Sequence, residues 1–564
     1  MQIIKTLLRL SLFICPAIVS AQTTYLPQGD KATEFIDRLE IKYGTNTNIN
    51  FSTIKPYSRK AVVKEAEFID STKKWKLSKS DEYNLRSLYM DNSEWVSTQK
   101  DYFMSKKPIA HTFYKTQANM IEVNNKDFFL AVNPMLNVQI GKESGDSSHA
   151  YLDTRGIMVR GMIGHKIGFA SSISDNQERG PSYFNSRVDQ FQAVPGVGFY
   201  KLFKKNKGYD YFDGRGYVTF SAAKFIDFQF GYDKNFIGDG YRSLFLSDYG
   251  NSSLFLKINT KIWKFNYQNL FMELMPTGKG PVSPNGDTLL DRKYAAMHHL
   301  SLNVTKWLNV GLFEGIIFGR TNHFDFQYLV PVIFLRSVEG TVGSPDKAFA
   351  GLDFKANALH TLQFYGQFLL SEFHVNEIFK NDGYWANKYA AQAGVKYIDA
   401  FKISNLDLQL EVNQVRPYTY SHSMKDSISN YTHYNQPLAH PLGSNFREFV
   451  AIAKYQPLPK LSINGRIVYY KQGLDSAGYN FGSNPMEPYD ENRPRDYGLA
   501  IGSGNEIKVL NASLLVSYEV KQNLFIEARA TYRDYKYVSS GIKTNSTLGL
   551  IGIRWNMFKR DYDL

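Results

Sequence analysis

The chain has 564 residues, a formal net charge of +13, and 15% aromatic residues, including 38 tyrosines and 40 phenylalanines. Its mean hydropathy is negative, and after the first twenty residues no run of about 18 apolar residues exists, so a membrane-crossing helix is excluded. The single cysteine, Cys15, lies near the start, which excludes disulfides and thiolate metal sites from the rest of the chain.

The elements begin with "MQIIKTLLRLSLFICPAIVSAQTTY". Lys5 and Arg9 form a positive start, Leu10 to Val19 an apolar stretch, and Val19-Ser20-Ala21 a small-residue cleavage pattern. This predicts a secretory signal peptide over 1–21. Its removal leaves a charge of +11, which suits an anionic partner such as a polysaccharide or a lipid headgroup. An exported chain has little call on nucleic acid.

Residues 22–107 read as a helical periplasmic region or plug. In "GDKATEFIDRLEIKYG", Phe35, Ile36, Leu39 and Ile41 recur at helical spacing, with Asp30 to cap the start and Gly44 to end it. "SRKAVVKEAEFIDSTKK" and "SKSDEYNLRSLYMDNSEWV" read as two further charged helices.

From 108 to 564 the period changes to two. "LDLQLEVN" sets Leu406, Leu408, Leu410 and Val412 against Asp407, Gln409, Glu411 and Asn413. "IEARATYR" sets Ile526, Ala528, Ala530 and Tyr532 against Glu527, Arg529, Thr531 and Arg533. One face for an apolar solvent and one for water is the pattern of a transmembrane barrel wall with a polar lumen. Short turns such as "IGHKIGF", "NTKIWKF" and "EVKQNLF" alternate with long stretches near 177–190, 235–251, 275–293, 320–347, 374–388, 421–446 and 473–508. Together these predict an all-β, antiparallel outer-membrane barrel of about 18 strands, within a range of 16 to 20. Its last strand, "STLGLIGIRWNMF", is expected to close on a first strand near 108–122.

The order and spacing of several segments resemble the Wzi-type capsule-assembly family. They are "GDKATEFIDRLEIKYG", "FIGDGYRSLFLSDYGNSS", "FDFQYLVPVIFLRSVEGTVGSPDKAFAGLDF", "HTLQFYGQFLLSEF" and "VRPYTYSH…YNQPLAHPLGSNFRE". The resemblance covers most of the chain after residue 21, to a distant, Bacteroidota-like member. It implies a lectin-like barrel that holds exported capsular or exopolysaccharide at the cell surface. A channel or porin, or a surface accessory of gliding motility or secretion, are the alternatives that the fold leaves open.

Candidate ligand residues cluster in the loop after Val415. Tyr418, Tyr420, Tyr431 and Tyr434 offer ring faces to sugars, Arg416 a fork for a uronate carboxylate, and His422, His433 and His440 donors for hydroxyls; the alternative is that the tyrosines form an interfacial girdle and the loop folds inward to narrow the lumen. Tyr241 and Arg242 project from the Gly-rich segment 236–251. The histidine spacings of eleven and seven fit no common zinc pattern, so no metal or cofactor is expected. No G-x-S-x-G occurs, and adjacent Ser421 and His422 would point to opposite faces of a strand, so the chain does not read as an enzyme. Glu372 and Glu377 flank His374, which reads as rim charge rather than a glycosidase pair. "LVPVIFLRSVEG" is expected to pack inside the barrel mouth, with Arg336 and Glu339 paired.

Overall fold

The computed structural model describes residues 23–563, except 45–50, 73–75, 98–102, 165, 204–207, 277–290, 321–322, 333, 344–345, 379 and 381. The segment read as a signal peptide lies outside the described residues, as does most of the long stretch 275–293.

Three helices precede the sheet: α1 (Lys31–Tyr43), α2 (Arg59–Thr72) and α3 (Lys79–Asp91). The Asp30 side chain accepts the Ala32 N–H at 2.8 Å, and Gly44 ends α1 at φ +67, where a left-handed backbone favours glycine. Ser78 and Asp81 form a reciprocal cap on α3. The apolar stripes of the three helices meet in one core of Phe35, Ile36, Leu39, Val62, Val63, Leu85 and Leu88.

Eighteen antiparallel strands then close a barrel. In chain order they are β1 (Phe128–Glu143), β2 (His149–Ile163), β3 (Ile167–Arg179), β4 (Gly208–Ala223), β5 (Ile226–Asp233) and β6 (Ser253–Ile262). Next come β7 (Phe265–Leu274), β8 (Lys293–Asn303), β9 (Leu308–Gly319), β10 (Lys347–Ala358), β11 (Leu362–Glu372) and β12 (Lys388–Tyr397). The last six are β13 (Leu406–Val415), β14 (Phe446–Leu458), β15 (Leu461–Leu474), β16 (Asn505–Lys521), β17 (Leu524–Tyr537) and β18 (Lys543–Trp555). Each pairs with its chain neighbour, and β18 closes on β1 from Leu548↔Glu143 to Trp555↔Leu136. The closing partner is therefore 128–143 and not 108–122. Of the described residues before β1, Ile121–Asn124 adds a short strand to the wall, against Phe129–Val132. The segment around 108–116 instead folds on itself through bridges such as Ile109↔Phe113 and Met104↔Thr116.

The wall is polar inside and apolar outside. On β17, Glu527, Arg529, Thr531 and Arg533 are buried, while Ile526 is 54% exposed on the lipid side. The short turns after β2, β4, β6, β8, β10, β14 and β16 fall at one rim, where the helices also dock. Arg38 of α1 reaches Asp399 and Asp407, and Lys355 of β10 pairs with Glu40 at 2.8 Å.

The lumen does not stay empty. Helix α4 (Ser182–Phe191) and the loops 234–252 and 416–445 fold inward and fill its outer half. Phe245 stacks on Phe313 of the wall with ring centroids 4.5 Å apart. After Trp555 the chain turns back, and its last residues thread up the barrel. Arg560 makes two bonds to Glu178 at 2.8 and 2.9 Å, and Asp561 pairs with Arg466 at 3.0 Å and Arg529 at 3.1 Å. Between helices, tail and wall a cavity of about 720 Å³ remains, lined among others by Arg215, Lys234, Arg242, Arg466 and Asp561.

One expectation is overturned. "LVPVIFLRSVEG" lies outside the barrel mouth, against the outer surface of the wall, where Tyr328 and Leu335 meet Phe271, Ile316 and Phe318. Arg336 and Glu339 do pair there.

The docking of the helices carries a pH dependence. Burial alone would raise the Asp81 carboxyl, but Arg38 at 3.1 Å and Lys42 at 3.0 Å outweigh it and hold it at about 2. The same carboxylate accepts the Asn405 side chain, in the turn between β12 and β13, at 2.9 Å. Its free value is about 3.9. The stabilisation is therefore complete above about pH 4 and is lost as pH falls through about 2. Protease accessibility of α1 to α3 in the inserted protein is expected to rise over that window, and Asp81→Asn is expected to flatten the rise.

Candidate functional site

The long loops form the rim opposite the helices, and the loop after Val415 is where sequence reading places the ligand. The structure turns that loop inward. Tyr420 and Tyr431 stack on each other at 5.5 Å, inside the lumen. Their hydroxyls donate to the backbone carbonyls of Leu244 at 2.9 Å and Phe245 at 2.6 Å. Tyr418 is also fully buried, and its hydroxyl donates to the Asn480 carbonyl at 2.6 Å. Gly482 lies against that ring at φ +73, where an added Cβ would meet Tyr418 Cδ1 at 2.5 Å. These three tyrosines fasten loops together, and no ring face is open to a polymer.

The histidines are spent in the same way. His433 Nε2 lies 2.9 Å from the Ser252 carbonyl, its Nδ1 accepts the Met275 N–H at 3.0 Å, and burial pushes its imidazole down to about 3. His440 is buried with Nε2 2.7 Å from Glu448, and burial lowers it despite that carboxylate. His422 is buried beside the Tyr489 ring, 6.2 Å away.

Tyr241 and Arg242 project into the lumen and are tied down there. The Tyr241 hydroxyl donates to Asp563, and Arg242 pairs with Glu448 at 3.3 Å and Asp563 at 3.2 Å. Glu411 accepts the backbone N–H groups of both, at 2.6 and 3.1 Å. His440 and Arg242 thus share Glu448, in a network that locks loop to wall. Among the described residues no group of three or more His, Cys, Asp or Glu could hold a metal ion. Glu372 pairs with Lys347 and Lys388, and Glu377 with Lys380 at 2.8 Å.

A different cluster faces outward. Two loops meet at the rim, 373–387 and 475–504. Their backbones pair, with Trp385 N–H to the Asp496 carbonyl at 2.8 Å, Gly498 N–H to Asp382 at 2.8 Å and Leu499 N–H to Gly383 at 3.0 Å. This brings together Tyr384 and Tyr497 at 5.1 Å, Trp385 and Tyr489 at 5.1 Å, and His374 against Tyr384 at 5.4 Å. Cations back the rings. The Arg493 guanidinium lies 3.8 Å from the Trp385 centroid, and Lys388 Nζ 3.5 Å from that of Tyr489. Tyr497 is 49% exposed, and His374 and Arg495 are exposed too.

Three of the sequence candidates lie directly beneath this cluster. Arg416 donates to the carbonyls of Tyr384 at 2.9 Å and Asn387 at 3.1 Å. Tyr418 meets Trp385 edge-on at 6.4 Å. His422 accepts the Tyr489 N–H on its carbonyl at 3.0 Å. Sequence reading took 374–388 and 473–508 as merely long and polar. The signal in them is the local interleaving of rings and cations in "GYWANK" and "PYDENRPRDYG".

The family model described as capsule assembly protein Wzi matches residues 214–540, more than half of the chain. The chain belongs to the Wzi capsule-assembly family. A solved structure described as Wzi, a carbohydrate-binding β-barrel of the outer membrane involved in group 1 capsule assembly in Escherichia coli, is similar over 95% of this chain and 100% of that one. Its TM-score is 0.56 at 11% identity, which shows a shared fold. OprD of Pseudomonas aeruginosa (TM-score 0.41, 11% identity, 75% of this chain and 94% of that) is a more remote likeness. So is OccAB2 of Acinetobacter baumannii (0.40, 11%, 76% and 98%). Nothing rests on either. No curated protein matches. With this family and this wall, the chain is an outer-membrane protein that crosses the bilayer with strands.

Buried and exposed rings predict opposite responses. Tyr420→Ala and Tyr431→Ala are each expected to cost about 3–5 kcal/mol, as large aromatic-to-alanine changes in packed cores do. Tyr497→Ala is expected to stay within about 0.5 kcal/mol. Urea titration of the refolded barrel, followed by heat-modifiable gel mobility, measures both.

Proposed function

We propose that this family member is a lectin-like barrel that binds exported capsular or exopolysaccharide and helps attach or assemble it at the cell surface. The observation that carries the proposal is the outward cluster of Tyr384, Trp385, Tyr489 and Tyr497 with Arg493 beside it. Sugar rings are apolar on their C–H faces and wet at their edges. Side chains with an apolar body and a polar tip match both, and the exposed Arg495 guanidinium suits acidic sugars, while Arg493 is held by Asp496. The relative whose fold it shares is itself a carbohydrate-binding barrel.

A filled lumen supports the same reading over a transport channel. Loops occupy its outer half and helices cover its periplasmic end, so the surface offered to a long polymer is the rim. In this reading Arg416, Tyr418 and His422 hold the binding surface from below, through Tyr384, Trp385 and Tyr489. Tyr420, Tyr431, His433, His440, Tyr241 and Arg242 keep the cork in place. The polymer is anionic, in keeping with the positive charge of the chain.

Replacing Trp385, Tyr489 and Tyr497 together with alanine is expected to leave insertion intact and to weaken polymer binding about tenfold or more. Surface polymer retained on cells, and binding of the refolded protein to a glycan array, give the readout. Retention equal to wild type by a correctly inserted variant would remove the rim as the binding surface. Wide, steady openings of the intact protein in a planar bilayer would favour a channel instead.

A further inference from the structure

On most of the wall, outward residues are exposed because they face lipid. On the outer halves of β7, β8 and β9 both faces are buried. The inward residues Met297, Phe313 and Ile317 meet the cork. The outward residues Phe271, Tyr294, Ile316 and Phe318 meet Tyr328 and Leu335 of the segment 323–332 and 334–343, which folds back over the outside of the barrel and ends in helix α5 (Leu335–Val342).

Two ionisable side chains lie beneath this segment on the outward face. His298 and Glu314 are ladder partners, with His298 Nδ1 3.8 Å from Glu314 Oε2. Glu314 is the seventh of the twelve residues of β9, and His298 the sixth of the eleven of β8. Because nine to eleven tilted residues cross the hydrocarbon core, both stand near mid-height of the wall. A carboxylate at that height needs partners that lipid cannot give. The segment supplies them: the N–H of Phe334 donates to Glu314 at 2.6 Å and that of Arg336 at 3.0 Å. The positive end of α5 thereby sits on the negative group.

The other side of the segment is apolar. Phe326 is 78% exposed, Phe334 70%, and Val332 is exposed between them. The outward residue two before Glu314 on β9 is Leu312, exposed together with its ladder partner Leu352, so the segment seated on Glu314 borders the lipid-facing belt of the wall. The exposed charge of Arg336 is met within the segment by Glu339.

We infer that residues 323–332 and 334–343 form a clasp lodged in the bilayer against the outside of the barrel, anchored on Glu314, with Phe326, Val332 and Phe334 in contact with the acyl chains of the outer leaflet. Continuity with the lipid-facing belt names the partner as lipid. The clasp stands apart from the sugar-binding rim.

The test places single cysteines at 326, 332 and 334 on a Cys15→Ser background, labels them with a polarity-sensitive fluorophore, and reconstitutes the protein in phosphatidylcholine vesicles. Leu352→Cys serves as the lipid-facing reference and Tyr497→Cys as the aqueous one. The three clasp labels are expected to emit at the blue-shifted wavelength of the Leu352 label, to lose most of their fluorescence to brominated acyl chains, and to be spared by iodide. Labels that follow the Tyr497 reference would overturn the inference. Adding Glu314→Ala is expected to move the labels towards the aqueous reference while the barrel keeps its heat-modifiable mobility. Labels that do not move would overturn the anchoring role of Glu314.

Discussion

A closed sheet in lipid has no free edge, and every strand must therefore turn its polar side chains to the same inner surface. That one constraint organises this molecule. Eighteen strands enclose a space too wide for wall side chains to fill alone. The inward row of Glu178, Arg466, Glu411, Glu448 and Arg529 has to be met by water or by protein, and here protein meets much of it. The fillers come from three directions: the helical region from the short-turn rim, the long loops from the opposite rim, and the residues after Trp555 from the end of the wall.

Filling the lumen changes what a loop is for. A tyrosine-rich loop on a rim suggests contact with ligand, yet here the hydroxyls of Tyr418, Tyr420 and Tyr431 satisfy backbone carbonyls of other inward segments. Buried loops carry peptide groups that need partners, and tyrosine supplies a large apolar body with a donor at its tip. These three tyrosines thus report irregular backbone held inside a barrel. The rings of the two loops stacked above are less enclosed: Tyr497 is exposed, and Tyr384, Trp385 and Tyr489 are half-buried, with Arg493 and Lys388 over the last two.

Much of this was legible before any coordinates. The alternation in "IEARATYR", the short turns at one rim and the caps of α1 follow from local rules of spacing and hydrogen bonding, and each appears where those rules put it. The first wall strand did not, because the residues before 128 carry apolar side chains too, and only pairing with β18 selects 128–143. The direction of the 416–445 loop stayed open between an outward and an inward fold for a related reason: composition names side chains that can stack, and the buried partners of Tyr420 and Tyr431 decide for the inward one. "AAMHHL" and "LFEGIIF" break the two-residue period, and that lapse marks the stretch of wall covered on both faces, which the sequence alone gave no cause to separate from noise.

The carboxyl-terminal tail also depends on closure of the wall. Its partners are Glu178 on β3, Arg466 on β15, Arg529 on β17 and Arg242 on an inward loop. Those groups surround one axis only after the first and last strands have met. Arg560, Asp561 and Asp563 therefore find all their partners only in a closed cylinder, and an unzipped wall would leave these three charges without them.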